Sequence, residues 1–166
     1  LMHRRYEREV FAQKVARIKS VMPHAFIGVD VIVGMRGETD ELFEDAYQFI
    51  ESLDVTQLHV FSYSERPGTA ALRIPYKVSP QVKHERSQRL LELSDRKTRA
   101  FYEAHIGREA TVLVERPRRG MPAHGFTDNY IRVEMDSAQV QENSLVRVRL
   151  GGLNAAGDAL MATILE

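Results

Sequence analysis

The sequence lacks cysteine, net charge and long apolar runs. None of its 166 residues is a cysteine, so this chain alone cannot build disulfides, thiolate-held zinc or an iron–sulfur cluster. Lysine and arginine number 23, as do aspartate and glutamate, so no overall field attracts the whole chain to nucleic acid or to an acidic membrane. No apolar run approaches about 18 residues and no signal sequence opens the chain, so we expect a soluble, cytoplasmic protein with no membrane partner.

The first part of the chain alternates between helical and strand patterns, which predicts an α/β fold. The predicted elements are a helix over 3–21, a strand over 26–33, a helix from Thr39 or Asp40 to about Leu53, a strand over 57–63, a loop over 65–75 and a long helix from Ser79-Pro80 to near Gly107. The first strand is almost continuously apolar, which is typical of a strand covered on both faces. Strand, helix and strand at this spacing predict a parallel pair.

The last part of the chain has a period of two, which predicts an all-β unit. Short strands are expected over 111–115, 130–135, 145–150 and 160–165, separated by glycine, proline, asparagine and aspartate. A unit of this size protects its strand edges best by closing into a small barrel. We therefore expect two domains, 1–104 and 105–166, without a flexible linker.

Two stretches lie where α/β folds bind ligands. In residues 28–41 a buried strand runs into a glycine turn and a helix, which places backbone N–H groups at the strand's carboxyl end. The alternative is a plain turn in which Asp30 bonds to neighbouring backbone. In residues 59–71 a strand is followed by Tyr63, Ser64, Glu65 and Arg66. There the alternative is that His59 and Tyr63 are satisfied interior polar residues.

A third stretch, residues 116–133, combines groups that suit RNA. Three arginines fall within four residues, and the aromatic and amide side chains that follow can stack on bases or contact their edges. The alternative is a solvated arginine-rich loop, because the chain from His105 onward holds 7 lysines and arginines against 8 acidic residues. Any basic patch is therefore local.

Taken together, these stretches resemble the methylthiotransferase family of radical S-adenosylmethionine enzymes over the whole chain. The matching motifs are His3-Arg4-Arg5-Tyr6, Asp30-Val31-Ile32-Val33-Gly34 with Gly37-Glu38-Thr39, Tyr63-Ser64 with Arg66-Pro67-Gly68-Thr69, the helix with Lys83, Glu85-Arg86 and Leu90, and residues 125–133. The last motif is similar to the RNA-binding TRAM barrel that ends these proteins. The subgroup acting on threonylcarbamoyladenosine is the one most similar at Arg4-Arg5-Tyr6, His59-Val60-Phe61 and Asn129-Tyr130.

The resemblance implies the C-terminal part of a radical-SAM partial (β/α) barrel followed by the TRAM barrel. In the full-length parent, a transferase, a cluster held by three cysteines reduces S-adenosylmethionine to a 5′-deoxyadenosyl radical. A methylthio group is then added to C2 of N6-threonylcarbamoyladenosine next to the tRNA anticodon. The parent's cofactors would be S-adenosylmethionine and two 4Fe–4S clusters, the second of them in an N-terminal domain.

Because the cluster cysteines are absent, we expect this chain to be an inactive fragment that itself binds none of these cofactors and has no catalytic or metal-ligating residue. Its partners would be the tRNA anticodon stem-loop and the N-terminal cluster-bearing domains of the same parent chain. The charged, helical start at Leu1 also indicates truncation. Two alternatives are methylthiolation of an aspartate on a ribosomal protein and a non-catalytic RNA-binding module.

The resemblance and the chemistry of the stretches assign two sets of site residues. Those expected to line the S-adenosylmethionine site are Arg4, Ile32, Val33, Gly34, Glu38 and Phe61. Those expected to contact RNA are Arg116, Arg118, Arg119, Phe126, Asn129, Tyr130 and Arg132. One departure affects the turn: the family's aromatic-proline pair before Gly-Glu-Thr is Met35-Arg36 here, which keeps an apolar residue but loses the rigid proline.

Overall fold

The computed structural model describes residues 7–116 and 120–165. The chain divides into two compact units, the first ending at Lys97 and the second beginning at Thr98. The domain division after residue 104, expected from the sequence, stays a prediction. Within the described ranges, no helix combines the length and the apolar character that crossing a membrane requires.

The first unit is built from three helices and two strands. In chain order these are α1 (Arg8–Val21), β1 (Gly28–Val33), α2 (Asp40–Ser52), β2 (Gln57–Ser62) and α3 (Pro80–Glu103), with a short 3-10 turn at Ala70–Arg73 in the predicted loop. The boundary between the units falls within α3, whose residues from Thr98 onward belong to the second unit. The five predicted elements are confirmed, except that residues 3–6 of the first helix lie outside the described residues. Thr39 caps α2, because its hydroxyl accepts the N–H of Leu42 at 3.3 Å.

Both strands of the first unit run in the same direction, as predicted, and Gly28 pairs with Gln57 at one end and Val33 with Ser62 at the other. One face packs against the helices in a core of Val15, Val33, Phe43, Val55, Leu58, Leu90 and Leu93. The opposite face is exposed along both strands. The prediction that β1 is covered on both faces is therefore wrong for this chain, since no described element of the first unit lies over that side.

The second unit is a closed five-stranded barrel, which confirms the predicted all-β unit. Its strands are β3 (Glu109–Val114), β4 (Ala123–Thr127), β5 (Arg132–Met135), β6 (Leu145–Leu153) and β7 (Leu160–Ile164). Around the barrel they follow the order β3-β4-β5-β7-β6, in which only β5 and β7 are parallel. The interior is filled by valine, isoleucine and leucine side chains at alternate positions, as a small barrel requires. The long helix ends at Glu103, a few residues before the expected stop.

The β4 strand is absent from the sequence-based prediction, which treated these residues as part of a loop. Its sequence, AHGFT, has a glycine at its centre and a proline just before it, and both features argue against a strand. The glycine is needed for packing, because a Cβ on Gly125 would lie 2.3 Å from the carbonyl oxygen of Leu113 on the neighbouring strand. A local pattern cannot reveal such a close approach of two backbones.

Candidate functional site

The exposed face of the two parallel strands carries two neighbouring apolar residues and, beside them, two neighbouring polar residues. Ile32 of β1 is 45% exposed and Phe61 of β2 is 53% exposed. These two residues are register partners, as are the exposed Asp30 and His59 two positions earlier. Open α/β sheets bind ligands at the carboxyl ends of their parallel strands, and the side chains that line such sites are mostly apolar.

Val33 and Gly34 do not share that face. Val33 is 1% exposed and belongs to the core on the helix side of the sheet. Gly34 follows at a φ of +79°, in the left-handed region that favours glycine. Lys83 from α3 passes beside this turn and donates from Nζ to the carbonyl oxygen of Tyr63 at 2.8 Å. The same ammonium lies 5.3 Å from the centre of the Tyr63 ring. Lys83 therefore connects the segments that follow the two strands.

Glu38 closes the turn after β1. Both oxygens of its carboxylate accept the N–H of Gly34, at 3.0 and 3.1 Å. Arg86 donates to the same carboxylate at 2.6 Å and to the Glu38 carbonyl oxygen at 3.0 Å. Its second nitrogen donates to Asp40 at 2.6 Å. The Arg86 side chain is almost fully buried, so these acceptors compensate its lost hydration. Glu38 thus has a structural role, and its cofactor contact stays a prediction.

Arg36 attaches the loop after β2 to the turn after β1. Its Nε donates to Glu65 at 2.8 Å, and one terminal nitrogen donates to the carbonyl oxygens of Leu72 at 3.3 Å and Ile74 at 2.9 Å. This hydrogen bond from Arg36 is the main reason why the pKa of Glu65 lies below its ordinary value, with the positive charge of Arg36 adding to the effect. The residue that replaces the expected proline therefore restrains the same turn by cross-linking it.

The barrel presents the β4–β5 hairpin as its candidate nucleic-acid surface. Phe126 is 37% exposed and pairs in register with Arg132. Tyr130 lies in the connecting turn, not in the strand where the sequence placed it, with a φ of +60° and 67% of its surface exposed. A bulky residue in the left-handed region is uncommon and marks a turn under strain. The turn projects the ring outward beside the hairpin.

The polar members of the predicted surface have partners within the protein. Asn129 accepts from the Thr127 hydroxyl at 2.7 Å through its side-chain oxygen. Arg132 forms an ion pair with Asp158. The pKa of Asp158 is lowered, first by a hydrogen bond from Asn154 and then by the charge of Arg132. The Arg116 side chain is 85% exposed, with the Glu142 carboxylate 3.7 Å away. Arg118 and Arg119 lie outside the described residues, as does Arg4.

The structure places further exposed residues beside Phe126, namely Leu113, Leu145, Arg147 and Arg149, which the sequence analysis did not select. Leu145, Leu113 and Phe126 form one outward row across three strands, because each is the register partner of the next. Next to them on β6, Arg147 and Arg149 both donate to Glu109 at 2.9 Å, and these bonds lower the pKa of Glu109. The sequence alternation along β3 and β6 indicates which residues face outward. Which of them lie side by side follows only from the register between the strands.

Three curated proteins are similar to nearly the whole chain. Threonylcarbamoyladenosine tRNA methylthiotransferase MtaB of Bacillus subtilis is 33% identical over 153 residues, which are 90% of this chain and 34% of that protein. The protein of the same name from Aquifex aeolicus is 36% identical over 148 residues, or 89% of this chain and 35% of that protein. The tRNA-2-methylthio-N(6)-dimethylallyladenosine synthase of Symbiobacterium thermophilum is 35% identical over 151 residues, or 90% of this chain and 32% of that protein.

All three relatives are, by name, enzymes that modify tRNA. The chain is a homologue of the tRNA methylthiotransferases, which confirms the resemblance seen in the motifs. It spans about a third of the length of the curated relatives that it matches. No protein-family model matches the chain.

Proposed function

We propose that this chain is the C-terminal portion of a tRNA methylthiotransferase, in which its first unit supplies one wall of the S-adenosylmethionine site and its barrel binds tRNA. The observation that carries the proposal is the extent of the similarity, which reaches 89–90% of the chain and therefore both units. In this proposal the first unit is the last part of a radical-SAM partial barrel and the second is a TRAM-type barrel.

The first unit fits the apolar part of S-adenosylmethionine. Ile32 and Phe61 stand side by side at the carboxyl end of the parallel pair, and both are partly exposed on a face that no described element of that unit covers. They would hold the adenine by apolar contact, while Gly34 lets the chain turn directly after the strand. When bound, S-adenosylmethionine supplies the radical and the methyl group of the reaction.

The residues of this chain suit S-adenosylmethionine but not the iron–sulfur clusters. The chain has no cysteine, and the described residues contain no group of three histidine, aspartate or glutamate side chains arranged to hold a metal ion. The residues of this chain therefore do not fit a cluster. In the proposal, the N-terminal domains of the same parent chain supply the cluster ligands.

The barrel supports tRNA as the partner. Exposed Phe126 and Tyr130 provide ring faces for stacking on unpaired bases, and Arg116, Arg132, Arg147 and Arg149 provide charges for phosphates around them. Two of these arginines share one carboxylate, so a positive charge remains there. We propose the anticodon stem-loop as the segment bound, since a loop offers the unpaired bases that such a surface requires.

We further propose threonylcarbamoyladenosine as the nucleoside that the parent modifies. Two of the relatives carry that substrate in their names, whereas two others, 35% and 39% identical, are named for dimethylallyladenosine. The choice between the two nucleosides is supported by the motifs that resemble the threonylcarbamoyladenosine subgroup. These motifs include His59-Val60-Phe61 and Asn129-Tyr130. The names of the relatives favour tRNA over a ribosomal protein and an enzyme over a non-catalytic binding module.

The proposal is tested with the full-length gene from which this chain comes. It is expressed in a bacterial strain that lacks its own tRNA methylthiotransferases, and the nucleosides of the extracted tRNA are measured by mass spectrometry. We expect the 2-methylthio derivative of threonylcarbamoyladenosine to appear. Appearance of only the dimethylallyl derivative would reject the nucleoside assignment, and absence of both from a strain with soluble, cluster-loaded protein would reject the enzyme. An upstream CxxxCxxC motif in the gene is also required.

A further inference from the structure

The exposed Tyr130 ring is held by a turn that is disfavoured for tyrosine. Its φ of +60° places a side chain with a Cβ in the left-handed region, and 67% of the residue faces solvent. The left-handed backbone conformation costs stability for a residue that has a Cβ. Other interactions must therefore keep the turn in this conformation.

The turn is closed by the backbone and hydroxyl of Thr127. The Thr127 N–H donates to the carbonyl oxygen of Ile131 at 3.0 Å, and the Tyr130 N–H donates to the carbonyl oxygen of Thr127 at 3.1 Å. The Thr127 hydroxyl accepts the Ile131 N–H at 2.9 Å and donates to the Asn129 side-chain oxygen at 2.7 Å. The position of the Asn129 amide is thus tied to the geometry of the whole turn.

The Asn129 amide continues inward to a buried histidine. Its nitrogen lies 3.2 Å from Nε2 of His105, a residue that is only 6% exposed. Nδ1 of His105 lies 2.7 Å from the carbonyl oxygen of Phe101 in the last full turn of α3, and the two rings are 4.5 Å apart. A carbonyl oxygen can only accept, so Nδ1 carries the proton. Nε2 is then the acceptor for the Asn129 amide.

We infer that His105 is a positioning residue for RNA binding, which fixes the Asn129–Tyr130 turn so that the Tyr130 ring is presented to an unpaired base. The inference rests on the proposed function, since it assigns Tyr130 a stacking role on tRNA. A neutral imidazole suits the position because it donates on one side to Phe101 and accepts on the other from Asn129. A leucine would leave both of those polar groups without this partner in a buried place.

The experiment is a double-mutant cycle on the complete 166-residue chain, with binding of a fluorescently labelled anticodon stem-loop RNA measured by anisotropy. Tyr130→Ala is expected to weaken binding about tenfold, the usual effect of losing one base-stacking ring. His105→Leu is expected to weaken binding several-fold in the otherwise unsubstituted 166-residue chain and to have no further effect in the Tyr130→Ala chain. His105→Gln, whose amide can donate and accept, should recover most of the affinity.

Tyr76→Ala is the matched control, because Tyr76 is an exposed tyrosine of the first unit and its replacement should leave binding unchanged. If His105→Leu unfolds the barrel, Thr127→Val removes the neighbouring link with little change in volume and should show the same dependence on Tyr130. Additive effects of His105→Leu and Tyr130→Ala would overturn the inference, as would a Tyr130→Ala chain that binds normally. If the unsubstituted 166-residue chain does not bind the RNA at all, the proposed function of the barrel is rejected instead.

Discussion

Lys83 passes so close to Gly34 that a Cβ at residue 34 would lie 2.4 Å from the Cγ of Lys83. The far end of the same lysine donates to the carbonyl oxygen of Tyr63 at 2.8 Å. A contact in the middle of the side chain cannot be relieved by moving only its flexible tip. The segment after β1 is therefore restricted by two separate effects, its left-handed backbone and the lysine that crosses it.

Gly34→Ala should separate these two effects when it is compared with Gly68→Ala. Both glycines have a φ close to +80°, but a Cβ on Gly68 would have no atom within 4 Å. Gly68→Ala should cost about 1–2 kcal/mol of stability from backbone strain alone. Gly34→Ala should cost about 1–3 kcal/mol more, because Lys83 must leave its path. Urea unfolding followed by circular dichroism measures both, and equal losses would contradict the close packing.

The attachment of the loop after β2 to Arg36 predicts a pH dependence. The pKa of Glu65 is lowered in the folded protein, so the folded state binds fewer protons than the unfolded state near that pKa. The resulting stabilisation is complete above the ordinary glutamate pKa and is lost as the pH falls through the lowered value. NMR titration of the Glu65 carboxyl should show the depressed pKa, and Arg36→Ala should raise it toward the ordinary value.

Glu44 provides the control for that titration. Its pKa is also lowered, mainly by a hydrogen bond from Arg89, and that pair lies on other elements of the first unit. Arg36→Ala should therefore leave the Glu44 titration unchanged. A Glu65 pKa that is the same with and without the arginine would contradict the cross-link.

Phe61→Ala tests the proposed cofactor wall in the full-length parent. Phe61 is 53% exposed in this chain, so its loss should change the stability of the first unit by less than about 1 kcal/mol. If the ring contacts S-adenosylmethionine, its loss should raise the KM for that cofactor about tenfold, as expected when an aromatic contact is removed from a ligand pocket. Leu42→Ala, at an exposed apolar residue of α2, should alter neither quantity. An unchanged KM in Phe61→Ala would count against the wall.

The helices and the parallel pair were predictable because each carries a signal in its own residues. Ser79 before Pro80 illustrates this, since the Ser79 hydroxyl accepts the Val82 N–H at 3.2 Å as a helix cap does. The β4 strand was not predictable, because Gly125 is required by a backbone from another part of the sequence. The turn that holds Tyr130 is closed by neighbouring residues, but its Asn129 side chain also contacts His105, which lies 24 residues earlier in the chain.

The candidate site was predictable in its residue types but not in its arrangement. The motif at residues 28–38 contains both Ile32 and Val33, yet alternation along a strand exposes the first and buries the second. Glu38 is engaged by Arg86, which lies 48 residues further along the chain. The row of Leu145, Leu113 and Phe126 exists only through pairing between strands, which no local pattern contains.

Replacing Arg118, Arg119 and Arg132 by alanine tests the basic part of the barrel surface. Each arginine that contacts a phosphate releases counterions, so its loss lowers affinity and also reduces the dependence of affinity on salt. We expect the triple variant to bind anticodon stem-loop RNA at least tenfold more weakly at low salt and with a flatter salt dependence. Arg132→Ala alone also breaks the ion pair with Asp158, so Asp158→Asn is measured beside it to separate the pairing from RNA contact. If the triple variant keeps the affinity and the salt dependence of the unsubstituted 166-residue chain, these arginines do not contact phosphate. The RNA surface must then be sought elsewhere, beginning with Arg147 and Arg149.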